Sequence, residues 1–495
     1  MIDNFILGST SLFGDPVTIV IFIFGVLGGM LFGAIPGVSM LTLAAILLPF
    51  TANLNPSQGV MLFAVIYCTG TYGGAITAIL FNIPGAPENA PTAFDGYPMT
   101  KNGQSGKAVG AAVLCSAIGG LSSAIVMMAA TEPLANWAIS NIGPPEIFAL
   151  VFFGLAVASS VGGRTIWKGW MSVLLGLIVA TIGQDPVGGI NRFNFGVSDL
   201  AAGIAFVPAI LGFFAVSEIF VQAEKKAIGK YEAPKMSVKF PTFLELWKQK
   251  IAVVRSIFVG FFCGILPGIG ATLAAFMGYG EAVRWSKNKE SFGKGNIEGV
   301  ISSETSNNAA TGAAMIPLLA LGLPGGALTA MMVAVFQMHD LEPGPMVFYN
   351  SPELIWVVFA AMFYANLSIL FIGLIETKTI LYLLKIPFQF LAPMILLLAS
   401  IGSYIGRGLV LDVMVMFIAG IIGFLLRRSG YSIPGIVLGI ILGKIGEQNF
   451  AQGMQMVHYD IFEYLSRPIC LILIVAGLLT FFIGVYRALS YSIRS

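Results

Sequence analysis

The sequence predicts an all-α polytopic membrane protein of about eleven to twelve transmembrane helices. Its organisation reads as two inverted-topology repeats with Pro-Gly-broken re-entrant hairpins. Three observations carry this expectation. The 495 residues are 57% hydrophobic and only 10% charged, whereas a soluble globular chain carries about 25% charged residues. Apolar runs of about 20 residues, the length of a bilayer-crossing helix, recur along the whole chain; a transmembrane barrel would show short alternating strands instead. Finally, GxxxGxxPG occurs twice, 231 residues apart, as Gly29, Gly33, Pro36 and Gly37 and again as Gly260, Gly264, Pro267 and Gly268. Both copies run into Thr-Leu-Ala-Ala, at Thr42 to Ala45 and Thr272 to Ala275. A helix breaker inside an apolar segment, repeated in both halves, is the best sequence pointer to a transporter binding site.

The apolar runs lie at roughly 17–50, 59–82, 106–130, 143–162, 169–184, 200–221, 254–283, 302–336, 352–375, 386–405, 409–426, 433–446 and 468–486. The longest polar stretch, 222–250, holds Lys225, Lys226, Lys230, Lys235, Lys239, Lys248 and Lys250. By the positive-inside rule it is a basic cytoplasmic linker. It separates a first membrane repeat, 1–221, from a second, 251–495, which has additional C-terminal helices. Arg164 and Lys168, Lys378 and Lys385, Arg427 and Arg428, and Arg487 and Arg494 mark further cytoplasmic sides. The stretches around Glu132 and Glu146, and around Asp340, Glu342 and Glu353, lack Lys and Arg and are placed outside, as is the N-terminus.

Parity then constrains the path. Lys101 and Lys107 put the loop before 106–130 inside, so one of the two preceding runs does not cross. The run 17–50 is too long for one helix and is broken at Pro36-Gly37, which makes it a re-entrant hairpin entering from outside. The run 254–283 lies between two basic stretches, 222–250 and the loop with Arg284, Lys287, Lys289 and Lys294. It is expected to enter and return from inside. The N-terminus is then outside and the C-terminus inside, in a multi-pass membrane protein.

Other features are less directive. The net charge of +2 sits in loops, and no nucleic-acid partner is expected. Cys68, Cys115, Cys263 and Cys470 lie in apolar segments at no metal-ligand spacing and read as small core residues. Asp3 and Asp15 precede the first apolar run without a basic region, so no cleavable signal is expected. Trp137, Trp167, Trp170, Trp285 and Trp356 fall near run ends, as an interfacial belt requires, and Trp247 lies in the basic linker.

Two more Pro-Gly breaks deepen the repeat, at Asn82-Ile83-Pro84-Gly85 and Gly322-Leu323-Pro324-Gly325. Unwound backbone at membrane depth persists only when buried in protein or lining a watery cavity. Its free carbonyls can coordinate a cation, and free N–H groups at helix starts favour an anion. The GxxxG spacing by itself reads as close helix packing. The polar run Ser302-Ser303-Glu304-Thr305-Ser306-Asn307-Asn308 offers donors and acceptors together. Ser302 to Thr305 fit a helix N-cap as well as a site, whereas Asn307, Asn308 and Thr311 fall further into the helix, where capping does not account for them. Thr69, Thr71, Tyr72, Gly73, Gly74 and Thr77 form the equivalent stretch of the first half.

The candidate substrate-binding residues are therefore Gly37, Ser39, Thr71, Gly73, Gly74, Thr77, Gly268, Gly270, Thr272, Asn307, Asn308 and Thr311. The candidate cation-binding residues are Pro36, Asn82, Pro84, Pro267, Glu304 and Pro324. The stretch from Pro84 to Gly106, with Glu88, Asp95 and Lys101, reads as a turn-rich connection whose exposed polar groups gate the site or dock a partner. Arg407, Lys444 and Arg164 lie near run ends. Enzyme signatures are weak. His339 and His458 have no HExxH spacing, there is no Walker A motif, and GIGATLA lacks the βαβ context of a dinucleotide fingerprint. A membrane enzyme on a lipid substrate would need fixed catalytic carboxylates or histidines, and none stands out beyond Glu304. A non-transporting structural subunit would not need paired breaks.

The segments GAIPGVSMLTLAAILLP, YGGAITAILFNIPGAP, FDGYPM, GILPGIGATLAA and SNNAATGAAMIPLLALGLPG resemble the large membrane subunit of the bacterial tripartite tricarboxylate transporters. The resemblance runs from about Gly25 to the last apolar run. It implies a secondary importer, not an enzyme, for a small carboxylate such as citrate or a related di- or aromatic carboxylate, driven by a sodium or proton gradient. It also implies a place in the lipid bilayer of the bacterial inner (cytoplasmic) membrane, with the N-terminus periplasmic and the C-terminus cytoplasmic, and a small membrane subunit and a periplasmic solute-binding protein as partners. No cofactor is implied beyond a sodium ion. The family commonly carries further small residues where this chain has Pro87-Glu88-Asn89. By analogy with other hairpin-containing carriers, an elevator-like alternating access is expected.

Overall fold

The computed structural model describes residues 1–35, 39–161, 166–185, 188–224, 241–266, 270–383 and 388–492. Pro36, Gly37, Arg164, Pro267 and Gly268 lie outside the described residues, as do Lys225, Lys226, Lys230, Lys235 and Lys239 of the linker and Lys385. The protein is a multi-pass, all-α membrane protein. Its only described strands are the pairs Gly183–Gln184 and Asn191–Arg192, which form a small antiparallel ladder.

The chain opens with α1 (Ile2–Gly14), α2 (Pro16–Ala34) and α3 (Met40–Leu47), then a 3₁₀ turn at Leu48–Asn53. Next come α4 (Pro56–Phe81), a turn at Pro87–Asn89, α5 (Ala90–Lys101), α6 (Ser105–Asn141), α7 (Pro144–Val161) and α8 (Ile166–Ala180). A continuous helical stretch follows, α9 (Phe206–Ile210) and α10 (Ser217–Glu224) with a π-turn at Leu211–Val216 between them. The next segment holds α11 (Phe243–Lys248), α12 (Lys250–Ile265), α13 (Gly270–Trp285), α14 (Ile297–Leu321), α15 (Ala327–Met338) and α16 (Val347–Asn350). It ends with α17 (Pro352–Leu383), α18 (Phe388–Arg407), α19 (Val410–Arg428), α20 (Ile433–Met456), α21 (Ile461–Ser466) and α22 (Pro468–Ser492). Among the described residues, 6 helices are long and apolar enough to cross a membrane, and shorter apolar helices accompany them.

Local chemistry sets the helix ends. Asp15 caps α2, accepting from the Val17 and Thr18 N–H groups, and Pro16 occupies the first turn, where its missing N–H is harmless. Asn55 and Gln58 form a capping box on α4. At the far ends, α4 stops at Asn82 (φ 57) and α14 stops at Gly322 (φ 73), both left-handed. Each donates its N–H four residues back, to Ala78 and Leu318 respectively. The two Pro-Gly breaks after α4 and α14 therefore start from the same αL cap, which glycine and asparagine reach most readily.

The two GxxxGxxPG segments share one geometry. Gln58 Nε2 donates to Asp15 Oδ2 at 3.1 Å, so α2 and α4 start at the same end. A Cβ on Gly29 would overlap the Thr69 hydroxyl, and one on Gly33 the Gly70 carbonyl. In the second copy Arg255 faces Glu298, and Cβ atoms on Gly260 and Gly264 would overlap the carbonyls of Ser306 and Ala310. Thus α2 lies parallel to α4, and α12 to α14. The runs 17–50 and 254–283 each enter and return to the end they left. The glycines of GxxxG are the contact, as expected of a small-residue helix interface. The helix α2, at about 28 Å by its rise per residue, is long enough to span alone, whereas α3 reaches about 12 Å.

The helices α4 and α14 run in opposite senses. Helix α5 joins the end of one to the start of the other: Thr100 Oγ1 donates to the Ile79 carbonyl at 2.8 Å, and Asp95 Oδ1 accepts from the N–H groups of Gly295 and Asn296 at 2.9 and 2.8 Å. At the opposite end Gly59, near the start of α4, lies against Val335 and His339 at the end of α15. The core is continuous through α2, α4, α6, α14, α15 and α17, with Phe63, Tyr72, Phe336 and Phe359 among its largest buried side chains.

Three expectations change. The stretch after Pro84 is not an exposed connection: it folds into α5, with Pro91 in its first turn and Pro98 in its last, and Glu88 and Asp95 are buried. Ser302 to Thr305 are not caps, because Asn296 caps α14 and places them more than a turn inside the helix. Trp356 is buried and packs edge-on against Phe359, unlike the exposed Trp137, Trp167 and Trp285. The four cysteines are free and buried.

Candidate functional site

The centre of the candidate site is a carboxylate held by three helices. Glu304 of α14 is fully buried. Its Oε1 accepts from the Thr92 hydroxyl of α5 at 2.5 Å, and its Oε2 from the Ser116 hydroxyl of α6 at 2.9 Å. Asn307 Nδ2 lies 3.5 Å from Oε1. Ser303 Oγ lies 2.9 Å from Thr92 Oγ1. No Lys or Arg pairs with Glu304 among the described residues. A carboxylate buried without a basic partner is held by hydrogen bonds alone, and inside a membrane such a group marks a functional path.

The turn Pro87–Asn89 supplies the next layer. Asn307 Nδ2 donates to the Glu88 carbonyl at 3.2 Å. The Glu88 carboxylate faces the Thr272 hydroxyl in the first turn of α13 at 3.4 Å. Asn89 Nδ2 donates to the Thr71 carbonyl at 2.8 Å, and a Cβ on Gly74 would overlap Asn89 Oδ1. Glycine at 74 is what lets this turn lie on α4. On the other flank Asn308 Nδ2 donates to the Glu304 carbonyl and to Asn307 Oδ1, at 3.0 and 2.8 Å. Thr311 Oγ1 donates to the Asn308 carbonyl and lies 3.9 Å from the Cys68 sulfur. The side-chain oxygens of Asn89, Asn308 and Asn366 are buried without a hydrogen-bond donor. Three unsatisfied amide oxygens are acceptors awaiting water, a cation or a ligand donor.

The two described Pro-Gly breaks each lie against residues in or beside a GxxxG segment. A Cβ on Gly85 would overlap the carbonyl of Gly33, and the Gly85 N–H donates to the Gly74 carbonyl at 3.3 Å. In the second copy Gly270 (φ +61) lies against Gly325 and Gly326, and Gly325 packs on Ala314. Gly85 in the break after α4 and Gly325 in the break after α14 are thus matching positions.

The expected residues divide accordingly. The structure brings Thr272, Glu304, Asn307, Asn308 and Thr311 into one cluster. Gly73 and Gly74 act through close approach, Gly73 to the Met30 carbonyl of α2 and Gly74 to Asn89. The hydroxyls of Thr71 and Thr77 donate within their own helix, to Tyr67 and Gly74. Ser39 precedes α3 without a side-chain cap bond. Asn82, Pro84 and Pro324 belong to the breaks, with Asn82 as the αL residue. Gly37, Gly268, Pro36 and Pro267 lie outside the described residues. Arg407 is taken by its pair with Asp412. Sequence reading missed Asn89, Thr92 and Ser116 as site residues. Their signal was a polar side chain in a small-residue context, which does not reveal that Thr92 and Ser116 meet Glu304, 212 and 188 residues away, or that Asn89 reaches back to Thr71. Among the described residues no group of three or more His, Cys, Asp and Glu side chains could hold a metal ion.

Comparison with known proteins agrees with this architecture. A sequence profile of the tripartite tricarboxylate transporter TctA family matches residues 19–481. An uncharacterized 52.8 kDa protein in the TAR-I ttuC′ 3′ region of Agrobacterium vitis is 36% identical over 503 residues, covering 100% of this chain and 97% of that protein. An uncharacterized protein in the TAR-II ttuC′ 3′ region of the same organism is 36% identical over 236 residues, covering 48% of this chain and 96% of that protein. No solved structure matches. With 463 residues spanned by the family profile (19 through 481) and a full-length relative at 36% identity, the chain belongs to the tripartite tricarboxylate transporter TctA family.

Proposed function

We propose that this subunit is a secondary active importer of organic carboxylates, coupled to sodium or protons, in the inner membrane with its N-terminus periplasmic. The carrying observation is Glu304: a buried carboxylate without a basic partner among the described residues, ringed by Thr92, Ser116 and Asn307. A coupling cation there would neutralise it, and the donorless oxygens of Asn89 and Asn308 add ligands of the hard type that sodium takes. Unwound carbonyls near Pro84 and Pro324 extend this surface, and the sequence carries matching breaks at Pro36 and Pro267. Substrate carboxylates sit on the N–H groups of the broken segments and on Asn307, Asn308, Thr272 and Thr311. The opposed directions of α4 and α14, with α2 and α12 parallel to each, support an inverted-topology repeat. A small membrane subunit and a periplasmic solute-binding protein complete the system, and an elevator-like movement carries the site across.

Uptake of labelled citrate into proteoliposomes holding this chain with both partners tests the reading. Accumulation that follows an imposed sodium or proton gradient, and falls at least tenfold in Glu304→Gln, is expected. Substrate accumulation without any cation gradient, or unchanged coupling in Glu304→Gln, overturns it.

A further inference from the structure

Away from Glu304, a cavity of about 710 Å³ opens at the basic end of the bundle, between the start of α6, helices α11 and α12, and the connection from α13 to α14. Four cations line it, Lys107, Lys248, Arg255 and Lys287, against two acids, Glu245 and Glu298. Lys107 pairs with Glu245 at 2.6 Å and Arg255 meets Glu298 at 3.5 Å. Lys248 and Lys287 have no acidic partner among the described residues. Arg255 Nε is buried without an acceptor. The cavity therefore has an excess of positive charge and an unused donor.

The wall of this cavity continues into an exposed apolar surface. Ile251 lines the cavity and begins a stripe with Val254, Phe258 and Phe262 along one face of α12, exposed by 73, 52, 60 and 69%. The spacing of three, four and four residues keeps them on one side of the helix. The opposite face, with Ala252, Ser256 and Gly260, is buried. A basic pocket continuous with an apolar helix face matches a phospholipid in both parts. The pocket takes the charged headgroup, and the stripe takes the acyl chain.

We propose that this cavity binds the phosphate headgroup of an anionic phospholipid whose acyl chains lie along the Ile251 to Phe262 face of α12. Lys248, Lys287 and Arg255 contact the phosphate. The bound lipid bridges α11 and the connection from α13 to α14 to α12, the first arm of the second broken hairpin. The proposal does not depend on the transported substrate.

The test uses the full chain in detergent, with lipid binding followed by native mass spectrometry and thermal stability. Phosphatidylglycerol is compared with phosphatidylcholine and with inorganic phosphate. Phosphatidylglycerol is expected to bind and to raise the melting temperature more than phosphatidylcholine. The double variant Lys248→Gln/Lys287→Gln is expected to bind phosphatidylglycerol about thirtyfold more weakly, at roughly one kilocalorie for each surface charge removed. Lys248→Arg/Lys287→Arg is expected to retain binding. Phe258→Ser/Phe262→Ser is expected to weaken the lipid without altering any response to phosphate. Equal binding of the two lipids, a response reproduced by inorganic phosphate alone, or full binding by the glutamine variant each overturns the proposal.

Discussion

The hydroxyl of Thr92 and the carboxylate of Glu304 lie 2.5 Å apart although 212 residues separate them in the chain. Thr92 stands on α5, which follows the first Pro-Gly break of α4, and Glu304 on α14, which precedes the matching break. The bond therefore couples the two broken elements directly. Thr92→Val removes the donor and keeps the shape. It is expected to cost about 1.5–3 kcal/mol, the range for a hydrogen bond to a charged group. It should also slow uptake, while Thr92→Ser retains both. A melting temperature for Thr92→Val equal to that of the parent would remove this bond from the account.

Asn307 and Asn308 are placed differently around the same carboxylate. Asn307 reaches the Glu88 carbonyl across the halves, whereas Asn308 Oδ1 has no donor. Alanine at either is expected to lower substrate or cation affinity at least tenfold, with Asn308→Ala costing less stability because fewer bonds across the interface are lost. Unchanged transport and affinity in both variants excludes them from the site.

Gly85 and Gly33 are expected to be intolerant of any side chain. Gly85→Ala places a methyl group onto the Gly33 carbonyl, and backbone rather than a mobile side chain must move. The expected loss is about 1–3 kcal/mol, the usual cost of overpacking, with transport abolished. Gly280→Ala meets nothing within 4 Å and serves as the control. Size-exclusion profiles after graded heating separate the two.

Outside the membrane-spanning segments, Glu245 carries a pH signature. The Lys107 ammonium, which donates to its carboxylate, and the Thr242 N–H hold its pKa down at about 2, from an ordinary 4.5. A folded-state value below the unfolded one adds stability at neutral pH. The contribution is whole above about 4.5 and is lost as the pH falls toward 2. The melting-temperature gap between the parent and Glu245→Gln is expected to hold steady near neutrality and to close over that acidic window. The pair is partly exposed, so salt at about 1 M should narrow the gap at every pH. A gap that widens on acidification contradicts the assignment.

Sidedness follows from the path of the chain. Ser57 lies at the start of α4 and Lys101 at the end of α5, and α4 separates them. With Ser57→Cys expected to label from the periplasm and Lys101→Cys from the cytoplasm, an impermeant maleimide decides the orientation. The four native cysteines are buried and should contribute little background. Labelling of both positions from one side refutes the crossing of α4.

The membrane class, the all-α content and the repeated breaks are legible in the sequence, because hydropathy and helix breakers act through the residues beside them. The sequence also marked Glu304, Asn307, Asn308 and Thr311, since polar side chains on an apolar helix need an explanation wherever they sit. The charge pattern indicated that the runs 17–50 and 254–283 return to the end they left, and the Gln58 to Asp15 bond and the Arg255 to Glu298 pair give each run that geometry. The rest depends on how the helices pack. Six Gly and Pro residues from Pro84 to Lys101 read as a turn-rich connection, yet packing on α4 and the Asp95 bonds to the start of α14 hold 90–101 as a helix. That helix brings Thr92 to a partner 212 residues away. The pattern of a segment cannot specify such a partner, because the favourable energy lies in desolvated contacts that exist only once both helices are packed.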